Sequence, residues 1–302
     1  MKMAEGILAT SDIVLPNNLA QGIWQKAEGG SAVVALSQAR PMLFGETNIM
    51  TLDTAPKAEF VAEGGTKSAS DAVIGVRKVM PRKAQVTLRF NEEVKWADED
   101  YQLEVLQTLA DAGGRALYRG LDIAAFHAIN PLSGTVMADV PHLTETTNKV
   151  TAGDDAELDL EAAAGLVVAD GFRPTGVALD SAYGWTLATA RYADGRKKFP
   201  DMALNADLAS VSGIRSYTTD TVSASKEASV PTGVNAIVGD WETFAWGIQR
   251  NMPVKLIEYG DPDGKGDLQR NNQIALRLEM VFGWALLDLN AFAVIEAAAA
   301  GE

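Results

Sequence analysis

The chain of 302 residues has no cysteine, only two histidines, and no apolar run approaching the ~18 residues that a membrane-spanning helix needs. Without cysteine there can be no disulfide, thiolate metal site or cysteine nucleophile, so the fold must rest on packing. His127 and His142 stand in no metal-ligand spacing. His127, at the end of a helical stretch, reads as a dipole partner or packed polar residue rather than a base. No GxSxG elbow, GxGxxG turn or GxxxxGK[ST] loop is present, so nucleotide and hydrolase readings lack their anchors, and no cofactor, metal or catalytic residue is expected. At the N-terminus, Glu5 and Asp12 flank a very short apolar run, which predicts a soluble product made in the cytoplasm, with no membrane partner.

Basic residues are also scarce. Lysine and arginine number 26 against 40 acids, for a net charge of −14. A surface built to grip phosphates needs clustered cations that release counterions, so sequence-specific nucleic-acid binding is not expected. An acidic surface repels nucleic acid, and acidity also keeps a concentrated protein soluble; net charge does not separate the two.

What is present is a long helical pattern behind a charged, glycine-containing hairpin. From Asp98, DEDYQLEVLQTLADAGGRALYRGLDIAAFHAI places Leu103, Leu106, Ala110, Leu117, Leu121, Ala124 and Ala128 on one stripe, while Asp100, Glu104, Arg115 and Arg119 lie mostly off it. Unbroken, it would span about 45 Å at ~1.5 Å per residue, long enough to suggest an extended subunit that completes its burial against neighbours. Asp98 can cap the first amides. Gly113 and Gly114 cost ~2 kcal/mol relative to two alanines, which predicts close packing against a strand; the alternative is a point of bending.

Elsewhere, IWQKAEGGSAVVAL predicts a short amphipathic piece followed by a strand, ELDLEAAAGLVVADG a helix ending at Gly171, GVALDSA a strand and AYGWTLATARYADG a further helix. SGIRSYTTDTV and NAIVGDWETFAWGI predict strands around a loop at Ser223 to Thr232. MPVKLIEY and QIALRLEMVFGWALLDL predict two more, the latter alternating through Ile274, Leu276, Leu278, Met280 and Phe282 as a half-buried sheet under the long helix. DPDGKGD at Asp261 to Asp267 resembles half of a calcium loop, but position twelve is Asn272 rather than a bidentate glutamate, so a solvated turn is expected.

AEFVAEGG at Ala58 to Gly65, QVTLRFNEEV at Gln85 to Val94, LADAGGRALYRGLDIAAFHAI at Leu109 to Ile129 and NNQIALRLEMVFGWALLDLNAFAVIEA at Asn271 to Ala297 together resemble the major capsid proteins of tailed double-stranded DNA bacteriophages, with the Hong Kong 97-like fold. The resemblance spans nearly the whole chain. It implies an α+β subunit with an N-terminal arm (1–38), an extended loop with flanking strands (39–93), a spine helix and peripheral domain (94–150), an axial domain (151–251) and closing strands of the peripheral domain (252–302). It implies a virion protein that forms pentamers and hexamers around double-stranded DNA, assembled in the host cytoplasm with a portal, possible decoration protein and, since no long charged helix precedes the arm, a separate scaffolding protein or a shortened chain.

The extended loop would lie on the adjacent subunit, with Glu63, Lys67, Arg77 and Lys78 as intersubunit contacts; the alternative is an ordinary two-stranded surface ribbon. Lys57, Lys67, Lys78 and Lys83, with Asn271, Asn272 and Asn290, supply the residue types of the isopeptide crosslinks known in some such shells, but without a matched geometry noncovalent burial is expected instead. An encapsulin-like compartment is the same-fold alternative. A hydrolase using Ser181 and His142 is a distant one.

Overall fold

The computed structural model describes residues 30–40, 47–54, 56–92, 99–199, 210–251 and 254–298. The segment 1–29, Asp98 and the end of the polyalanine tail lie outside them. The elements are α1 (Ala32–Leu36), β1 (Thr47–Thr54), β2 (Val73–Val79), β3 (Arg82–Asn91), α2 (Glu99–His127), β4 (Lys149–Thr151), α3 (Ala156–Ala169), β5 (Gly176–Leu179), α4 (Ser181–Thr189), β6 (Ser210–Val211), β7 (Ile214–Thr218), β8 (Val234–Gly239), β9 (Phe244–Asn251), β10 (Lys255–Ile257), β11 (Gln273–Leu286) and β12 (Phe292–Glu296).

Three sheets result. β1 and β2 form a two-stranded antiparallel hairpin. β11 is the backbone of the second sheet: β3 pairs along one edge from Asn91↔Gln273 to Arg82↔Phe282, and β10 and β9 share the other. The third sheet has the order β4-β12-β8-β5-β7-β6 and carries α3 and α4 on one face, where Ala163, Val167, Tyr183 and Leu187 meet Val177, Leu179, Val238 and Ile295.

The spine helix α2 packs its predicted stripe into the main core. Leu106, Ala110, Leu117, Leu121, Ala124 and Ala128 are buried, together with the alternating β11 residues Ile274, Leu276, Leu278, Met280 and Phe282. Trp241 sits where the chain turns from β8 to β9 and so passes between the two larger sheets. Its ring meets Phe126, Phe244 and Phe292 at centroid distances of 6.3, 6.1 and 5.5 Å, joining helix and sheets through one aromatic cluster.

Several predicted features differ. AVVAL is a helix, not a strand: Ser31 caps it and Ala32, Val33 and Leu36 turn into the core at helical spacing. α4 stops at Thr189, because Arg191 pairs with Lys197 around a turn in which Gly195 takes φ +87°. The two larger sheets also cross the predicted segment boundaries. β9, within 151–251, pairs with β11, whereas β12, within 252–302, and β4, which runs across the boundary at 150, pair in the six-stranded sheet. Strand partners are chosen by nonlocal pairing, which order along the chain does not display.

Candidate assembly surface

The β1–β2 hairpin has an exposed apolar face. Directly opposed residues of antiparallel strands share a face, so Met50↔Val76 and Leu52↔Ile74 place four large apolar side chains side by side. Their exposures are 77%, 57%, 58% and 66%, respectively, more than half in every case. An isolated hairpin is marginal in water, and among the described residues nothing covers this one on that face.

Between the strands, residues 56–72 form an outlying loop with its own polar skeleton. Ser68 donates its backbone N–H (3.0 Å) and its hydroxyl (2.7 Å) to Glu59, the Lys57 amide donates to Ser70 Oγ at 2.7 Å, and the Gly65 amide closes a turn on Ala62 O at 2.9 Å. The Ser68 bonds hold the Glu59 carboxyl below its ordinary range. Phe60 is fully exposed at this end.

Glu63 and Lys67 are exposed on the same loop, at some distance in sequence from Arg77 and Lys78 on β2. Arg77 donates to Leu287 O of its own subunit at 3.1 Å, so it fastens the hairpin's base. Lys83 pairs with Glu279 across β3 and β11 at 2.7 Å.

Gly113 and Gly114 are buried midway along α2, and a Cβ at Gly113 would stand 2.7 Å from Leu278 Cδ1 on β11. Charged residues that the helical pattern left off the apolar stripe prove structural. Arg119 pairs with Asp220 and with Glu227, the latter at 2.6 Å, and Lys226 pairs with Asp220 at 2.6 Å. Although burial pushes Asp220 up, its bonds to Arg119 and Lys226 hold it below the ordinary range.

Asp122 was not singled out by the sequence. It is fully buried and accepts from Ser31, Ala32, Val33 and Thr221. The available signal was a lone acid inside the apolar run LDIAAF.

The chemical temptations resolve into structure. In the Asp261–Asp267 loop, the position a cation would take is filled by the Arg89 guanidinium, which reaches Asp263, Asp261, Gln273 Oε1 (3.1 Å) and Gly266 O (3.0 Å). Among the described residues no cluster of His, Cys, Asp and Glu is suited to a metal. His127 is buried with Nε2 donating to Val222 O at 2.8 Å, and burial pushes its pKa down to about 4, so it is a neutral packing residue. His142 Nδ1 lies 3.0 Å from Val140 O and 3.2 Å from Glu145 Oε1, while Ser181 is the exposed first residue of α4.

Comparison with known proteins decides what such a surface belongs to. The phage capsid family model matches residues 12–297. The chain belongs to the phage capsid family. A solved chain from Mycobacterium phage Ogopogo is 43% identical, with a TM-score of 0.81 over 97% of this chain and 100% of that one. One from Gordonia phage Cozz is 32% identical, with a TM-score of 0.77 over 99% and 98%. The capsid of an empty GTA particle, computed with C5 symmetry, shares the fold at 13% identity and a TM-score of 0.63, over 89% of this chain and 90% of that one. No curated protein matches.

The fold is therefore the α+β Hong Kong 97-like capsid fold. This is a structural major capsid protein of the virion that assembles with other subunits, and it is not an enzyme. The compartment and hydrolase readings are not favoured.

Proposed function

We propose that the subunit forms pentamers and hexamers closing an icosahedral head around double-stranded DNA, and that the extended loop at residues 58–82 is its principal arm onto the neighbouring copy. The observation carrying this is the apolar face of Met50, Val76, Leu52 and Ile74, exposed among the described residues. Fully burying such a side chain contributes ~1.5–3 kcal/mol, so the face stabilises a contact with another subunit while adding little to its own. Glu63, Lys67, Arg77 and Lys78 fit the polar rim of that contact, where charges set register more than affinity.

In this reading the six-stranded sheet with α3 and α4 is the axial domain around the symmetry axes, and the β11 sheet with α2 is the peripheral domain. The net charge of −14 suits a wall that DNA slides past without sequence-specific contact. Assembly in the host cytoplasm, with a separate scaffolding protein, a portal and a decoration protein, completes the scheme.

The test is electron microscopy of the purified chain, with and without its scaffold, beside a Leu52→Asp/Ile74→Asp variant. Closed shells are expected only from the wild type, with both proteins showing the same secondary structure in solution. Normal shells from the variant would end the proposal.

A further inference from the structure

Asp122 is a fully buried carboxyl group whose hydrogen-bond partners among the described residues are all neutral. Its Oδ1 accepts from Ser31 Oγ (2.5 Å) and the Val33 amide (3.2 Å), and its Oδ2 from the Ala32 amide (2.8 Å) and Thr221 Oγ1 (2.9 Å). Three separate parts of the chain meet on this group: the start of α1, the C-terminal part of α2 and the turn that follows β7. Arg119, one helical turn away, would be the obvious counter-ion, but it is committed to Asp220 and Glu227.

The four donors are all neutral, and two are hydroxyls, which can reverse. Thr221 Oγ1 is also 3.1 Å from Thr219 Oγ1, in a contact where either can donate. With the carboxyl ionised, Thr221 donates to Asp122. With a proton taken from solvent onto Oδ2, Asp122 donates to Thr221, whose own hydrogen turns to Thr219, and both backbone amides keep an acceptor. The Asp122 carboxyl therefore keeps its hydrogen-bond partners in either protonation state, and only the ionised state carries a buried, uncompensated charge.

We propose that Asp122 is a proton-responsive latch between the segment Ser31–Leu36 and the turn Thr219–Ala228, with docking of that segment tightened when the carboxyl is protonated. Burial pushes Asp122 up to about 6 despite the bonds from Ser31, Ala32, Thr221 and Val33. A carboxyl freed by undocking would return toward its ordinary value. The docked state thus binds the proton more tightly; the stabilisation is complete at low pH and is lost as pH rises through about 6.

The surrounding charges do not blur this assignment. α1 carries no ionisable side chain, and β5 none. On β7, Arg215 donates to Ala35 O at 2.7 Å and Tyr217 packs against the core. On the turn, Asp220, Lys226 and Glu227 are paired as described, and His127 beside Val222 stays neutral down to about 4.

The experiment is hydrogen exchange with mass spectrometry on the full chain from pH 7 to pH 5, corrected for intrinsic exchange rates and read on the peptide covering Ser31–Ser37. Protection in the wild type is expected to rise about tenfold over that range. Asp122→Asn, neutral throughout, should give a flat profile. Thr221→Val removes a bond that favours the ionised form, so its midpoint should move above that of the wild type, and this variant decides the matter if Asp122→Asn does not fold. Protection that is flat or falls with acid in the wild type, or an unshifted midpoint in Thr221→Val, would overturn the latch.

Discussion

Gly113 of α2 and Leu278 of β11 approach so closely that a Cβ on the glycine would lie 2.7 Å from Leu278 Cδ1 and 3.5 Å from Cγ. The glycine is the seat of the spine helix on its sheet. The helix gives up ~1 kcal/mol of propensity there, and the sheet gains a contact that a larger residue would forbid. Gly113→Val is expected to destabilise the subunit by about 2 kcal/mol, since Leu278 is buried and has little room to turn aside. Chemical denaturation would check this; an unchanged midpoint would mean that the helix slides freely over β11.

Arg89 makes a second prediction. It stands where the acidic loop would otherwise hold a cation, so Arg89→Ala should loosen residues 259–271, seen as faster exchange and proteolysis there, while chelators should leave wild-type shells intact. Hydrogen bonding to Arg89 holds Asp263 below its ordinary range. A depressed carboxyl contributes above its unfolded value, so the loop should keep its protection at mildly acidic pH and lose it only as pH falls below that value of 3.8. Loss of loop protection between pH 6 and 5 would contradict this account.

The elements that local pattern controls were legible in the sequence. The apolar stripe from Leu106 to Ala128, the alternation from Ile274 to Phe282 and the end of α3 near Gly171 follow from periodicity and turn chemistry within short windows. What was not legible depends on partners far along the chain. AVVAL becomes a helix because Ser31 caps it and Asp122, some ninety residues away, accepts from its first two amides. β9 and β12 exchange sheets because β11 and β8 offer them edges. The candidate surface was half legible: the composition of the extended loop displays its charges but not its apolar face. The register that aligns Met50 with Val76 and Leu52 with Ile74, and so makes the apolar face, exists only once the strands are paired.

Covalent reinforcement offers a third test. With no cysteine, and with Lys83 engaged by Glu279, assembled shells boiled in detergent and reductant are expected to run as a single band near 32.1 kDa. A ladder of multimers would show crosslinking and direct attention to Lys57, Lys67 and Lys78.

The last prediction separates an intersubunit arm from a surface ribbon. The loop at 56–72 can be replaced by a two-residue turn without touching β1 or β2, and none of its apolar side chains is buried in its own subunit. The fold should therefore survive, with thermal midpoint shifted by no more than a few degrees, because shortening a loop changes the closure entropy only slowly with length. Assembly is expected to fail or to stop at single rings, since the exposed Phe60, Glu63 and Lys67 would be lost together. Charge alone should matter less: Lys67→Ala, a rim change, is expected to slow assembly less than fivefold, whereas Phe60→Ala, which removes a large apolar anchor, should weaken it more. Light scattering on matched concentrations would rank the three proteins. If the shortened protein closes normal shells, or if Lys67→Ala proves as damaging as Phe60→Ala, the apolar arm is not what holds neighbouring subunits together.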